Sequence, residues 1–247
     1  MLIDPPLFAA TLLKRYKRFL ADVRLEDGTE LTVHTPNTGS MLGCAEPGMR
    51  IWLRDTQNPK RKYRYSWEMS ETSEGVKIGV HTGISNRLLS EAIEAGRIPA
   101  FSMYDRIQTE VPYGEERSRI DLLLTNPHEQ CYVEIKNVTA RDQQGLAIFP
   151  DAVTQRGTKH LRELRAMVEA GHRAVIFFSI QREDVNGFRA AAEIDPLYAK
   201  TLAEVMAAGV EAMAWRAKVS PQEIVLDKEL PIHASDEVHG EAASFVL

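Results

Sequence analysis

Ile120-Asp121-Leu122-Leu123-Leu124 and Cys131-Tyr132-Val133-Glu134-Ile135-Lys136 are two apolar stretches, each interrupted by an acid and separated by a turn signal at Asn126-Pro127. Both read as strands. Side chains alternate across a strand, so Glu134 and Lys136 share one face while Val133 and Ile135 point to the other. A hairpin turning near Pro127 brings Asp121 beside Glu134. A carboxylate left unpaired among apolar residues costs several kcal/mol, so two together call for a cation. Hard oxygen donors suit Mg²⁺ or Mn²⁺, with the Ile135 carbonyl as a further candidate ligand. Lys136 is then placed to orient an attacking water or to offset charge building on a phosphate. The alternative is a pair of edge-strand acids neutralised by Lys136 or Arg119.

Outward from this pair the chain alternates helix and strand. Ile84, Leu88, Ala92 and Ala95 recur at helical spacing, with Ser85 as the expected N-cap and Gly96 as the stop. Glu91 lies between Leu88 and Ala95 on that stripe, which makes it a candidate third metal ligand. A second helix is expected over Gly157 to Gly171, and Arg173 to Ile180 reads as a strand covered on both faces. A helix from Pro196 to Ala208 and a strand from Val210 to Val219 complete an α/β domain. After Pro221 periodicity is lost, and the last residues read as a mobile tail. The expected division is 1–82, 83–231 and 232–247.

The N-terminal part reads differently. Phe19 to Leu25, the Asp27-Gly28 turn and Glu30 to His34 form a hairpin signal, and short strands follow near Arg50 to Leu53, Tyr65 to Met69 and Val76 to Val80. Strands at this spacing predict a small antiparallel OB-like barrel. Its basic residues interleave with aromatics: Lys14, Arg15, Tyr16, Lys17 and Arg18, then Lys60, Arg61, Lys62, Tyr63 and Arg64. Such mixtures neutralise phosphates and stack on bases, which makes DNA, single- or double-stranded, the expected partner. The Asn37-Thr38-Gly39 turn offers a backbone that can approach phosphate. In the second domain Arg117, Arg119, Arg156, Lys159 and His160 extend the candidate surface, the last three at a helix start that favours anions.

Composition is compatible with this reading. The 247 residues carry 30 Lys+Arg against 35 Asp+Glu, a net charge of −5, which at first opposes a DNA partner. Residues 1–222 carry 29 of each sign, so the excess acidity lies wholly in residues 223–247. Residues 1–67 hold 11 basic against 7 acidic residues, a local +4. No apolar run approaches a membrane span, and Asp4, Pro5 and Pro6 do not fit a secretory start, so no membrane partner and a cytoplasmic location are expected. Cys44 and Cys131 read as buried free thiols, and no Cys or His pair has zinc spacing.

A helix acid, a strand Asp and Glu-x-Lys on the next strand resemble the PD-(D/E)XK nuclease superfamily, although Asp121 follows Ile120 rather than a proline. Longer stretches are similar to the sugar fermentation stimulation protein A family. They are Pro5-Pro6-Leu7, Arg15 to Val23, His34 to Met41, Gly114 to Asp121, Phe149 to Gly157 and Lys159 to Leu164. The resemblance covers about residues 1–231. It implies an OB-like domain followed by a nuclease-like α/β domain, DNA binding, and a regulatory link to sugar catabolism such as maltose use. By motif position it implies a metal and catalytic set of Glu91, Asp121, Glu134 and Lys136. It leaves open whether the site cleaves nucleic acid with Mg²⁺ or serves as the scaffold of a non-catalytic DNA-binding regulator. It also leaves open the oligomeric state, a dimer included.

Overall fold

The computed structural model describes residues 1–114 and 118–234. Arg117 and residues 235–247, which include most of the expected tail, lie outside the described residues.

The first domain is built from β1 (Phe8–Tyr16), β2 (Leu20–Leu25), β3 (Glu30–His34), β4 (Arg50–Asp55), β5 (Tyr65–Glu71) and β6 (Lys77–Gly79). Strand order is β3-β2-β1-β4-β5-β6, and a parallel bridge between His34 and Ser66 joins β3 to β5. Strands β1 to β5 therefore close on themselves as the expected barrel. The Asp27-Gly28 turn connects β2 to β3 with Gly28 at φ +86°, a conformation that L side chains resist. Leu12, Ala21, Val23, Val33, Ile51, Leu53 and Trp67 fill the interior. Strand β1 precedes Phe19, where the expected hairpin starts, because Phe8 to Thr11 pair with Arg50 to Leu53 across the barrel.

The second domain contains α1 (Ser85–Glu94), β7 (Arg106–Tyr113), β8 (Ser118–Thr125), β9 (Gln130–Val138), β10 (Ala140–Arg141) and β11 (Leu146–Phe149). It continues with α2 (Gln155–Glu169), β12 (Arg173–Ile180), β13 (Gly187–Ala190), α3 (Pro196–Ala207), β14 (Glu211–Val219), β15 (Ile224–Leu230) and β16 (Ile232–His233). The main sheet runs β15-β14-β12-β9-β8-β7, with parallel pairing among β9, β12 and β14 and antiparallel strands at both edges. A small sheet, β10-β11-β13-β16, lies beside it.

Strand β12 is buried on both faces, as its apolar run requires. Val175 and Phe177 pack with Leu88, Leu89 and Ala92 of α1, whereas Ile176, Phe178 and Ile180 pack with Leu161 and Leu164 of α2 and Leu202 of α3. The sheet thus separates α1 from α2 and α3. Among the described residues no helix is long and apolar enough to cross a membrane.

The structure departs from the sequence reading at further places. Ser85 is the first residue of α1 rather than its cap, because a 3₁₀ turn over Thr82–Ile84 leads directly in and takes the Ser85 backbone N–H at the Thr82 carbonyl. Loss of periodicity after Pro221 hides a strand within the expected second domain: Ile224 to Leu230 pair antiparallel with β14, burying Ile224, Leu226 and Leu230. Ile232 and His233, expected in the tail, pair with Phe188 and Arg189 of β13.

The barrel and the second domain meet at several places, two of which lie near the candidate site and the β12 end. Gly79 N–H donates to the Gln181 carbonyl at 2.9 Å, beside a bridge between Ile78 and Arg182. Ser40 Oγ and Met41 N–H both donate to Asp151 Oδ2, each at 2.9 Å. A Cβ added at Gly79 would overlap Gln181 Oε1. Gly79→Ala is therefore expected to destabilise the protein by about 1–3 kcal/mol, the usual cost of overpacking. Chemical denaturation checks this, and wild-type stability in that variant contradicts the tight junction.

Candidate functional site

Asp121 on β8 and Glu134 on β9 stand where the antiparallel ladder between these strands ends. Pairing runs from Thr125↔Gln130 to Leu122↔Val133 and goes no further. The Asp121 carboxylate takes over there: Oδ2 accepts the Ile135 backbone N–H at 2.7 Å. On the other side Glu110 sits at a φ of +54°, between the β7–β8 pairs Thr109↔Leu122 and Val111↔Ile120. Glu110 thus falls directly opposite Asp121 with no residue inserted and the register kept on both sides, and only the pairing at this one position is lost.

Alternation along β9 sends Val133 and Ile135 into the core beneath α1 and Glu134 and Lys136 toward α2. Glu134 is 3% exposed. Its Oε1 accepts from Lys136 Nζ at 2.7 Å and is in close contact with His160 Nδ1, while Oε2 is buried without a partner. Arg156 Nε, which can only donate, lies 3.2 Å from His160 Nε2. That nitrogen must accept, so the network assigns the imidazole proton to Nδ1, facing Glu134. Lys136 Nζ, 3.5 Å from Nδ1, is then a neighbour rather than a second donor to the ring.

The start of α2 fixes this arrangement. Thr154 Oγ1 accepts from Gly157 N–H, and Asp195, itself capping α3 through Tyr198 N–H, accepts the Thr154 N–H at 2.8 Å. One buried carboxylate therefore ties the two helix starts to each other.

Electrostatically the two acids differ. Burial, and then the Glu134 charge, push Asp121 up to about 6, against the Ile135 N–H and the Lys136 charge. Burial also raises Glu134, but the Lys136 charge and the His160 hydrogen bond outweigh it, so Glu134 lies below the usual range. Asp121 is thus the member that takes up a proton first as pH falls.

Glu163, one turn beyond His160 on α2, is a residue the sequence reading passed over. It is 6% exposed, and neither carboxylate oxygen has a hydrogen-bond partner. It lies against Gly114, where an added Cβ would meet Oε1 at 2.9 Å, and the neighbouring Tyr113 hydroxyl is also buried and unpartnered. Burial, and then the charges of Glu134, Glu163 and Asp121, raise the Tyr113 pKa. The i, i+3 spacing from His160 was the available signal, hidden in Lys159-His160-Leu161-Arg162-Glu163 by surrounding charge.

Several expected site residues are used elsewhere. Glu91 does not join the acid pair: its oxygens bind the Met1 ammonium at 3.1 Å and Arg87 Nε at 2.7 Å, on α1, across the sheet from Glu134. Arg15 is turned into the fold, donating to the carbonyls of Arg18, Asn37, Gly39 and Ser40 at 2.7–3.1 Å. Asn37 is buried, its Oδ1 accepting Gly39 N–H. His160 is buried against Glu134, not presented to solvent. Arg119 is exposed, with Nη1 on the Glu110 carbonyl, and Lys159 is half-buried. Among the described residues no group of three or more His, Cys, Asp or Glu is gathered to hold a metal ion.

Other expected basic residues do face solvent. Lys17, Arg18, Lys60, Arg61, Lys62 and Arg64 are exposed, as is Lys14, which pairs with Asp22 and lies over the Tyr16 ring. Arg64 binds Asp55 and stacks on Tyr65, and Lys62 lies over Tyr63. A cleft at the β4–β5 end of the barrel is lined by Arg54, Asn58, Arg61, Glu68 and His81. Both cysteines are buried and free, and burial raises each thiol to about 12, which makes them inert packing.

A closed β-barrel of the OB type followed by a mixed α/β domain with two converging strand acids defines a two-domain protein. Residues 83–223 match the model described as the sugar fermentation stimulation protein RE domain, and residues 13–80 match the SfsA N-terminal OB domain. The chain belongs to the sugar fermentation stimulation protein family. A sugar fermentation stimulation protein homolog of Thioalkalivibrio sulfidiphilus is 52% identical over 235 residues, covering 95% of this chain and 99% of that one. The homolog of Pelobacter propionicus is 54% identical over 228 residues, covering 92% and 98%. A solved structure of Pyrococcus furiosus SfsA in complex with Ca²⁺ superposes with a TM-score of 0.85 at 28% identity, covering 94% of this chain and 98% of that one.

Proposed function

We propose that the protein binds DNA through its barrel and carries a divalent-cation site of nuclease type at Asp121 and Glu134. One observation carries this reading: Glu134 Oε2 is buried without a partner beside Asp121, whose pKa is raised to about 6 by burial and by Glu134. Two crowded carboxylates short of positive charge fit a hard cation. The Ca²⁺ complex of the Pyrococcus relative supports the same choice, since Ca²⁺, Mg²⁺ and Mn²⁺ share oxygen ligands. When bound, Mg²⁺ or Mn²⁺ supplies Lewis-acid stabilisation of charge on a phosphate. The protein's own part is Lys136 as a charge facing the same space, His160 holding Glu134 Oε1, and Arg156 fixing the imidazole. A tie to maltose or other sugar catabolism belongs to this reading as a consequence of DNA binding in the cytoplasm, where free thiols persist.

A second reading is favoured by a specific observation. Glu134 Oε1 is already held by Lys136 and His160, and Glu91 is committed elsewhere, as suits a DNA-binding regulator that keeps the fold without the chemistry. Labelled single- and double-stranded DNA and RNA, incubated with Mg²⁺, Mn²⁺ or EDTA, separates the two. Metal-dependent cleavage is expected from the wild type and not from a Glu134→Ala, Lys136→Ala double variant. Cleavage that persists in the double variant removes the site assignment, and binding without cleavage selects the regulator.

A further inference from the structure

The β1–β2 turn combines features that the acid pair does not explain. Lys17 and Arg18 sit at φ +50° and +64°, two successive non-glycine residues in the left-handed region, and both are exposed. Such backbone is disfavoured for L residues and persists where the surroundings impose it. Arg15 imposes it from below, its guanidinium gripping the Arg18 carbonyl together with those of Asn37, Gly39 and Ser40. The next residue, Phe19, is 44% exposed although a phenyl ring gains by burial.

This tip is fixed relative to the acid pair. Ser40 and Met41, on the segment that Arg15 holds, are fastened to Asp151, and Thr154 three residues on caps α2, which carries Arg156 and His160 to Glu134. The connecting segments expose Leu42 (49%) and Val153 (73%), so apolar side chains recur along the line from the tip to α2. The β1–β2 turn is also one of the loops through which OB barrels hold oligonucleotides.

We infer that Phe19 is a stacking platform for one unpaired base of a bound DNA strand, with Lys17 and Arg18 holding the phosphates on either side. This rests on the DNA-binding reading above and names where an unpaired stretch is engaged. An aromatic face takes any base, so the contact is sequence-tolerant, and two cations beside it suit the flanking backbone charge. Preorganisation by Arg15 keeps the ring outward before the strand arrives.

The test uses the full chain and single-stranded DNA carrying one 2-aminopurine, with a blunt duplex as the second arm. Phe19→Ala is expected to weaken single-strand binding about fivefold to a hundredfold, the range for loss of one stacked base, and to abolish 2-aminopurine quenching. Phe19→Trp is expected to restore both, and thermal melts of the two variants verify folding. Lys17→Gln with Arg18→Gln should make the salt dependence shallower by about 1.4 in log–log slope, two phosphate contacts on a single strand. If the wild type binds and Phe19→Ala binds and quenches equally, the platform is overturned while the DNA-binding reading stands. If the wild type binds neither DNA form even at low salt, both fall.

Discussion

Lys136→Met is expected to destabilise the protein by about 3–5 kcal/mol at neutral pH, the cost of removing one partner from a buried ion pair. Glu134 is 3% exposed, and its charge is tolerated because Lys136 and His160 meet Oε1. Of the two, Lys136 supplies the charge that does most to hold Glu134 ionised. Without it the Glu134 pKa rises, and the deficit should shrink as pH falls and the carboxyl takes a proton. Adding Glu134→Gln should recover most of the loss, because a neutral amide no longer needs the ammonium. Urea denaturation of the wild type, both single variants and the double variant forms the cycle. A double variant as unstable as Lys136→Met alone would place the cost in packing instead.

Asp121→Asn should act in the opposite sense. The folded-state pKa is about 6 against an ordinary 3.8, so between those values the folded protein binds more protons than the unfolded chain. The carboxyl's favourable contribution is complete below about pH 4 and is lost as pH rises through 6. A shift of about two units corresponds to about 3 kcal/mol at most, and solvent reaching the half-buried group reduces this to about 1–2 kcal/mol. An Asn side-chain oxygen can still accept the Ile135 N–H. Asp121→Asn is therefore expected to be about 1–2 kcal/mol more stable than the metal-free wild type at pH 8 and nearly equal to it at pH 4.5. Melting temperatures across this range check it, and a difference that does not change with pH refutes the assigned cause. Such a gain on removing a charged group is what a site organised for a ligand shows when the ligand is absent.

Backbone pattern was legible where residue type alone decides it. Asp27-Gly28 supplied the turn, the apolar run to Ile180 announced a strand buried on both faces, and the acids of β8 and β9 stood out against leucines. Strand β7 was hidden because Pro112 breaks its pattern, which an edge strand tolerates. Strand β15 was hidden because its alternation fails at Asp227-Lys228-Glu229, where antiparallel pairing to β14 supplies what periodicity does not.

The side chains were less legible for a different reason. A guanidinium on carbonyls and one awaiting phosphate have the same sequence, so Arg15 and Arg18 could not be told apart before the fold showed which one Asn37, Gly39 and Ser40 surround. Glu91 and Glu163 are both helix acids, and only packing shows that the first has two cations and the second no partner.

The strand orders also bear on how the chain assembles. Most barrel pairings join neighbours in sequence, as β1 with β2 and β2 with β3, and close short loops. The central pairings of the second sheet, β9 with β12 and β12 with β14, are parallel and close only after a whole helix has been made. Loop-closure entropy therefore falls mainly on the second domain, and the barrel is the faster nucleus. The docking of Gly79 on Gln181 must wait for β12, which makes domain joining a late event. Trp52 and Trp67 lie on barrel strands and Trp215 on β14, so the chain carries its own optical reporter of each half.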